Sequence, residues 1–355
     1  IMAVVTLASS LEDLRVRLGR LVIGETTGKK RVRASDLRAE GALLALLRDA
    51  LMPNLVQTLE NHPAFVHCGP FANIAHGCNS VMATTLALRL GEYTITEAGF
   101  GADLGAEKFF DIKCRSAGLT PDAVVLVATI RALKYQAGVE LKDLKTPDPA
   151  AVRRGLAHLE RHLANLRRFG VPAVVALNAF SSDTAEEIAV LLGAQETLGV
   201  RIVRCEHWAR GGAGAEELAR AVVVEVDSNS GGFKRLYADE QTLLDKIETI
   251  ARRIYGAKGV QCDERVREKL KRLEQDGFGH LPVCMAKTQY SFSTDPTKRG
   301  VPSGFEIPLR DVELRAGAGF VLVLTGDVMT MPGLPKVPAA ESIDVDGASR
   351  IEGLF

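Results

Sequence analysis

Two glycine-rich blocks contain the residues of this chain whose types and spacing could do chemistry. They are FVHCGPFANIAHGCNS at Phe65–Ser80 and TEAGFGADLGAEKFF at Thr96–Phe110. Each block follows an apolar, strand-like run and leads into a helix-like stretch. A strand, a glycine-rich turn and a helix N-terminus aim unpaired backbone N–H groups at one point, and this arrangement favours an anion. The blocks therefore predict anion-binding turns.

Charged and imidazole side chains lie among these glycines. Glu97 and Asp103 could bind a cation or a ribose, and Asp103 could equally cap the helix that follows it. Lys108 could reach an anion, although a solvated helix face is the more common position for such a lysine. His67 and His76 flank the first turn, where structural hydrogen bonding is favoured over catalysis.

The chain contains no recognisable phosphate-binding loop of the G-x-x-x-x-G-K-[ST] type. The nearest string, GETTGKK at Gly24–Lys30, has one residue too few between its glycines and a lysine where the hydroxyl should be. We expect a charged surface turn there. GFGADLG at Gly99–Gly105 misses the dinucleotide pattern G-x-G-x-x-G by one position.

Apolar, β-branched runs alternate with amphipathic stretches through much of the chain. The strand-like runs are Ala64–His67, Tyr93–Thr96, Ala123–Ile130, Pro172–Leu177 and Val200–Val203. The helix-like stretches are Ser80–Leu90, Ala106–Ala117, Ala151–Phe169 and Ala185–Leu198. Nearly continuous apolar strands that alternate with helices predict an α/β fold, in which helices cover both faces of a parallel sheet.

Polar and glycine-rich clusters follow four of these strand-like runs. They are His67–Pro70, Glu97–Asp103, Asn178–Phe180 and Glu206–Gly212. Because ligands of such sheets bind outside the carboxyl ends of the strands, the clusters predict one shared active-site edge.

Among the aromatic residues of these clusters, Phe180 and Trp208, the only tryptophan of the chain, follow successive strand-like runs. An aromatic pair at neighbouring strand ends could hold a flat ring, and comparable stacking stabilises a base by ~1–3 kcal/mol per ring. A single tryptophan at a strand end could instead pack into the core.

After about Gly231 the alternation weakens. Helices are predicted at Glu240–Tyr255 and Asp263–Asp276, and strands at Leu281–Ala286, Phe305–Leu309 and Phe320–Leu324. This composition predicts a smaller mixed α+β domain after a boundary near Lys258.

Composition limits the class of protein. The 355 residues carry 44 Lys+Arg against 44 Asp+Glu, which gives no net charge to attract nucleic acid or an anionic membrane. No apolar run is long enough to span a bilayer. The six cysteines include no C-x-x-C pair, so we expect reduced thiols, no metal site and a cytoplasmic protein.

The two blocks resemble the formate–tetrahydrofolate ligases (10-formyltetrahydrofolate synthetases), and the resemblance extends from Ile1 to Phe355. It includes VCMAKTQYSFS at Val283–Ser293 and the ending MTMPGLPKVPAA…GLF. The chain departs from the family pattern at Cys68 and at Tyr135-Gln136-Ala137. Family members use ATP to join formate to tetrahydrofolate through formyl phosphate, which gives 10-formyltetrahydrofolate, ADP and phosphate.

The resemblance implies a P-loop NTPase-like fold that is incomplete at the N-terminus. It divides the chain into residues 1–165, the remainder of a nucleotide and formyl-phosphate domain; 166–258, a second α/β domain with folate contacts; and 259–355, the α+β domain. It also implies ATP with Mg²⁺ and tetrahydrofolate as substrates, a possible monovalent cation and a homotetramer.

The same resemblance implies roles for individual residues. Folate would lie between Phe180 and Trp208, near Asn178, while the nucleotide would contact Glu97, Phe100, Gly101 and Asp103. The Phe100 side chain could also anchor its loop in the core. The residues that handle phosphate are expected in an N-terminal portion of the enzyme, upstream of Ile1. The alternative is a catalytically incomplete folate-binding or scaffolding protein.

Overall fold

The first third of the protein consists of short helices and two antiparallel hairpins. The computed structural model describes residues 1–228, 231–326, 328 and 336–353, so most of the Met329–Pro338 motif lies outside the described residues. The first elements are α1 (Met2–Leu7), α2 (Leu11–Gly19), β1 (Val22–Glu25), β2 (Arg31–Arg33), α3 (Glu40–Leu47), β3 (Asn54–Gln57), β4 (Pro63–Val66) and α4 (Val81–Leu90).

A parallel three-stranded sheet among helices forms the middle of the molecule. Its elements are α5 (Gly105–Lys108), which continues through a π-helical turn at Phe109–Cys114 into α6 (Arg115–Ala117), then β5 (Val124–Ala128), α7 (Ile130–Gln136), α8 (Pro149–Arg168), β6 (Ala173–Asn178), α9 (Ala185–Leu192), α10 (Gln195–Leu198), β7 (Arg201–Cys205), α11 (His207–Arg210) and α12 (Glu216–Asp227). The strand order is β5-β6-β7, with both pairs parallel. The predicted α/β class and these three predicted strands are confirmed.

Local signals in the sequence explain where two of these helices begin. Before α8, the Asp148 carboxylate accepts the N–H of Ala151, and Pro149 occupies the first helical position. Before α9, Thr184 and Glu187 form a capping box. The centre of β6 is buried throughout, as expected for a middle strand covered on both faces.

The last part is mixed α and β, as predicted. It contains α13 (Leu243–Ile250) with a π-helical turn at Ala251–Tyr255, β8 (Gly259–Cys262), α14 (Glu264–Leu273) with a π-helical turn at Glu274–Phe278, β9 (Val283–Ala286), β10 (Glu306–Leu309), β11 (Asp311–Arg315), β12 (Phe320–Leu324), β13 (Asp344–Val345) and β14 (Ile351–Glu352). Strands β8 and β10 pair in parallel, and β12 lies between β9 and β11. The largest apolar cluster joins this part to α5 and to the end of α8.

Two of the five predicted strands of the parallel sheet are wrong. The run at Ala64–His67 forms β4, but β4 pairs antiparallel with β3, because the short Thr58–His62 turn reverses the chain between them. The run Tyr93–Thr96 is not a strand. Its Ile95 side chain is 90% exposed, so this run has no sheet to pack into within the described residues.

Three further features complete the fold. The GETTGKK string forms the turn between β1 and β2, where Thr26 N–H donates to Lys30 O at 2.8 Å, so the predicted surface turn is confirmed. The predicted helix at Ala185–Leu198 is interrupted at Gly193, between α9 and α10. Among the described residues, no helix combines the length and the apolar character needed to cross a membrane.

Candidate functional site

Phe180 and Trp208 follow neighbouring strands at the same edge of the parallel sheet. Asn178 at the end of β6 lies opposite Cys205 at the end of β7, and Ala179 N–H donates to Cys205 O at 3.0 Å. Beyond these positions Phe180 is 38% exposed and Trp208 is 88% exposed. The alternative of core packing for Trp208 is therefore wrong, and both rings lie where a ligand can reach them.

Phe180 is held from both its backbone and its ring. Its N–H donates to the Asp183 carboxylate at 2.9 Å, and its carbonyl accepts the Asp183 N–H at 3.0 Å. The guanidinium of Arg131, in the first turn of α7, lies 4.5 Å from the centroid of the Phe180 ring. The chain segments that follow β5 and β6 are therefore in contact at this edge.

The loop after β7 contacts the tip of the β3–β4 hairpin. Gly212 N–H donates to the Glu60 carboxylate at 2.6 Å, and Gly211 has φ +58°. A Cβ on Gly212 would overlap the Glu60 carboxylate, so glycine lets this acid approach the backbone. The segment after β7, which carries Trp208 in α11, thus has a contact more than 140 residues away in sequence.

The two glycine-rich blocks contact each other, but not as two strand ends of the parallel sheet. Gly99 N–H donates to Gly77 O at 3.1 Å, and the Phe71 and Phe100 rings meet edge to face at 6.2 Å. A Cβ on Gly105 would overlap the Gly99 carbonyl, so this close turn requires glycine. The prediction that all four polar clusters share the edge of one parallel sheet is wrong. Strand β4 is antiparallel to its neighbour, and the run Tyr93–Thr96 directly before Glu97 is not a strand.

Asp103 forms a buried ion pair with Lys287, which follows β9. The Asp103 carboxylate and the Lys287 Nζ lie 2.9 Å apart, and both side chains are buried. Lys287 also donates to Thr288 O at 2.9 Å and to Ser291 O. Burial alone would raise the pKa of Asp103, but the charge and hydrogen bond of Lys287, together with the nearby His162 and His158, outweigh it and lower that pKa. Asp103 provides no capping hydrogen bond to α5, so the capping alternative is wrong.

Two further lysines are buried as well, Lys108 in the second block and Lys113 just after it. Lys108 Nζ donates to Ala72 O at 2.5 Å and to Asn73 O at 3.2 Å. Lys113 Nζ lies 2.6 Å from Asn79 Oδ1, and burial lowers its pKa to about 8. The solvated face expected for Lys108 is therefore wrong. Both ammonium groups thus tie the helical segment that begins in the second block to the first block.

The remaining nucleotide-site candidates are exposed. Glu97 and Gly101 lie at the surface, and Phe100 is 43% exposed with φ +63°. A left-handed backbone at a phenylalanine is strained, and such strain is concentrated at functional sites. The Phe100 ring is thus not an anchor buried in the core. Asn178 is half-buried at the end of β6.

The two histidines of the first block differ. His67 uses both ring nitrogens, 2.6 Å from Ser80 Oγ and 2.8 Å from Ala50 O, so its structural role is confirmed. His76 is fully buried, and neither ring nitrogen has a hydrogen-bond partner among the described residues. Structural hydrogen bonding for His76 is therefore wrong. Burial, with Lys113 and Lys108 nearby, lowers the pKa of His76 to about 3 and keeps it neutral.

Sequence reasoning missed Arg131 and Lys287, as well as a buried acid pair, Glu107 and Asp111. These acids lie one helical turn apart, and Asp111 pairs with Arg115 at 2.9 Å. Burial raises the pKa of Asp111 to about 6 and that of Glu107 well above its usual value. Arg131 had one signal, since it directly follows a predicted strand. Lys287 lies in the recognised VCMAKTQYSFS stretch, but nothing in that pattern indicates an ionic partner.

Comparison with known proteins identifies the family. A family model for formate–tetrahydrofolate ligase matches residues 1–355. Proteins named formate–tetrahydrofolate ligase from Sphingobium sp. (strain NBRC 103272 / SYK-6), Rhizobium etli (strain CIAT 652) and Methylobacterium nodulans are 58%, 59% and 58% identical to the chain. Each match covers 100% of this chain and 64% of the relative, so the chain spans less than two thirds of their length. The chain belongs to the formate–tetrahydrofolate ligase family.

Proposed function

We propose that this chain supplies the folate-binding part of an ATP-dependent ligase, which joins formate to tetrahydrofolate and yields 10-formyltetrahydrofolate, ADP and phosphate. The observation that carries the proposal is the pair of exposed aromatic rings, Phe180 and Trp208, after hydrogen-bonded neighbours β6 and β7. The names of the relatives support the reaction. In this proposal the pterin ring lies between the two side chains, and Asn178 lies beside it.

The chemistry explains why such a site needs stacking. Formate is a poor acyl donor because its leaving group would be oxide, and phosphorylation gives formyl phosphate with a better one. Nitrogen N10 of the folate then attacks the formyl carbon, and phosphate leaves. Productive attack requires the reacting atoms about 3–3.5 Å apart, with the pterin held in one orientation. Since formyl phosphate hydrolyses in water, the closed site must also exclude solvent.

For the ATP half of the reaction, we propose that Glu97, Phe100 and Gly101 line the nucleotide side. Asp103, buried in its ion pair with Lys287, would hold the loop that carries them. The phosphates would be bound by a P-loop in polypeptide other than these 355 residues. In this proposal, the observed parallel sheet is part of a P-loop NTPase-like fold. The complete enzyme is proposed to be a homotetramer. Within the described ranges, no three His, Cys, Asp or Glu side chains form a group that could hold a metal ion.

A folate-binding or scaffolding protein without complete catalytic machinery is the second candidate. The observation that favours it for this polypeptide alone is the glycine-lysine string at Gly24–Lys30. This string forms a hairpin turn between β1 and β2 and does not lead into a helix N-terminus, so it lacks the amide arrangement that cradles phosphate.

One experiment separates the two candidates. Tetrahydrofolate binding and ATP-dependent formyl transfer are measured for this chain alone, and for this chain fused to the part of the Sphingobium relative outside the matched region. The ligase proposal expects binding in both proteins and 10-formyltetrahydrofolate from the fusion alone. Turnover by the chain alone would remove the need for a separate P-loop. Binding without turnover in the fusion would favour the second candidate. Absence of tetrahydrofolate binding in both proteins would overturn the ligase proposal and the folate-binding form of the second candidate, and would leave only a scaffolding protein.

A further inference from the structure

Arg131 covers one face of the Phe180 ring at the sheet edge. It lies in the first turn of α7, directly after β5, and β5 is the hydrogen-bonded neighbour of β6. Its guanidinium carbon is 4.5 Å from the ring centroid, within the range of a cation–π contact. A ligand ring therefore has only the opposite face of Phe180 on which to stack.

The other contacts of Arg131 do not account for its position. Its Nη2 donates to Ser182 Oγ at 3.0 Å, in the turn that follows Phe180. It forms no ion pair within the part of the chain that the structure describes, and its buried Nε has no hydrogen-bond acceptor there. The Phe180 ring and its turn are thus the principal partners of this charged group.

Two other arginine–aromatic contacts of the protein, both as short as that of Arg131, are built differently. Arg115 lies 4.5 Å from the Tyr237 ring and also pairs with Asp111 at 2.9 Å. Arg299 lies 4.3 Å from the Tyr135 ring and pairs with Glu140 at 3.1 Å. In both, a carboxylate fixes the guanidinium. At Arg131 the aromatic ring and a serine hydroxyl take the place of the carboxylate.

We propose that Arg131 is a positioning residue, which fixes the Phe180 ring and leaves one face open to a flat heteroaromatic ligand of the pteridine class. This inference rests on the proposed folate-binding function. Arg131 acts through Phe180, so its effect on ligand affinity disappears when the Phe180 ring is removed.

A double-mutant cycle tests this coupling directly. Tetrahydrofolate is titrated into the wild-type chain, Arg131→Met, Phe180→Ala and the double variant, and Trp208 fluorescence reports binding because it is the only tryptophan. We expect Arg131→Met to weaken affinity by about three- to tenfold, the range of a partly desolvated cation–π contact. The double variant should bind within about twofold of Phe180→Ala alone, since additivity fails for coupled neighbours.

Matched controls show whether the effect is specific. Arg299→Met removes the arginine on Tyr135 and should leave affinity unchanged. Ser182→Ala removes only the hydroxyl partner and should have a smaller effect than Arg131→Met. Arg131→Lys keeps the charge without the planar group, so it should fall between wild type and Arg131→Met. It also provides the test if Arg131→Met does not fold.

Each outcome is decisive. Unchanged affinity in Arg131→Met and Arg131→Lys overturns the inference and leaves the proposed function intact. Losses that add in the double variant also overturn it, because Arg131 would then contact the ligand independently of Phe180. Absence of binding by the wild-type chain overturns the proposed function itself, and the inference with it.

Discussion

The sheet edge, with Phe180 and Trp208, differs from the two glycine-rich blocks in how its distinctive residues are used. In the blocks, Asp103, Lys108 and His76 are buried, and the two charged groups among them bind other parts of the protein. At the sheet edge the aromatic rings are exposed, and Trp208 has most of its surface open. Unusual residue types thus indicate internal structure in one region and an open surface for a ligand in the other.

Removal of the Lys287 charge should have the largest effect on stability, and it tests whether the buried charges of the glycine-rich blocks are structural. Lys287→Met leaves the Asp103 carboxylate buried without its partner, and loss of one member of a buried pair costs about 3–5 kcal/mol. Urea unfolding should show this loss. Arg220→Met is the control, because Arg220 pairs with Glu216 on the surface, where the expected cost is about 0–1 kcal/mol. Equal costs would mean that the buried pair is not structural.

Two glycine substitutions, one in the second glycine-rich block and one in the segment after β7, compare how tightly the two regions are packed. A Cβ on Gly105 would overlap the backbone carbonyl of Gly99, whereas a Cβ on Gly212 would meet only the flexible Glu60 side chain. Gly105→Ala should therefore destabilise the protein by about 3 kcal/mol, the upper end of ordinary overpacking. Gly212→Ala should cost less than about 1 kcal/mol, typical of an exposed site. Thermal unfolding of both variants measures the difference, and the reverse order would contradict it.

The pH dependence of stability should report the buried histidine. His76 has a folded pKa of about 3, below its usual 6.5, so the unfolded chain binds the proton more readily. This contribution is full above pH 6.5 and falls towards pH 3, by ~1.4 kcal/mol per pH unit. His76→Leu sacrifices no hydrogen bond of the ring seen in the structure and should lessen the slope by ~1.4 kcal/mol per pH unit. His158 and His162, whose pKa values burial also lowers, contribute in the same range and remain in the variant. The free energy of unfolding from pH 7 to pH 5 provides the measurement, and an unchanged slope in the variant would contradict it.

The periodicity of apolar residues predicted the strands and helices of the central sheet. The strand pairings and ionic partners that depend on contacts distant in sequence could not be predicted. The runs that became β5, β6 and β7 were recognisable because their strands are apolar and lie between amphipathic helices. The run Tyr93–Thr96 looks similar, but a strand also requires a neighbour, and local sequence does not specify one. In the same way, Asp103 in its glycine-rich turn resembles a ligand or a cap. Its partner Lys287 lies 184 residues further on, beyond the reach of any local pattern.

Substitution of Trp208 should have the smallest effect on stability, and it is the most direct test of ligand binding at the sheet edge. Because its side chain is 88% exposed, Trp208→Ala should leave the free energy of unfolding within about 0.5 kcal/mol of wild type. Loss of one stacking partner should weaken tetrahydrofolate binding at least about tenfold, since stacking stabilises a ring by ~1–3 kcal/mol. Calorimetric titration measures the affinity without the tryptophan signal. Unchanged affinity would refute the stacking role, and a large loss of stability would mean that Trp208, like Asp103, belongs to the internal structure.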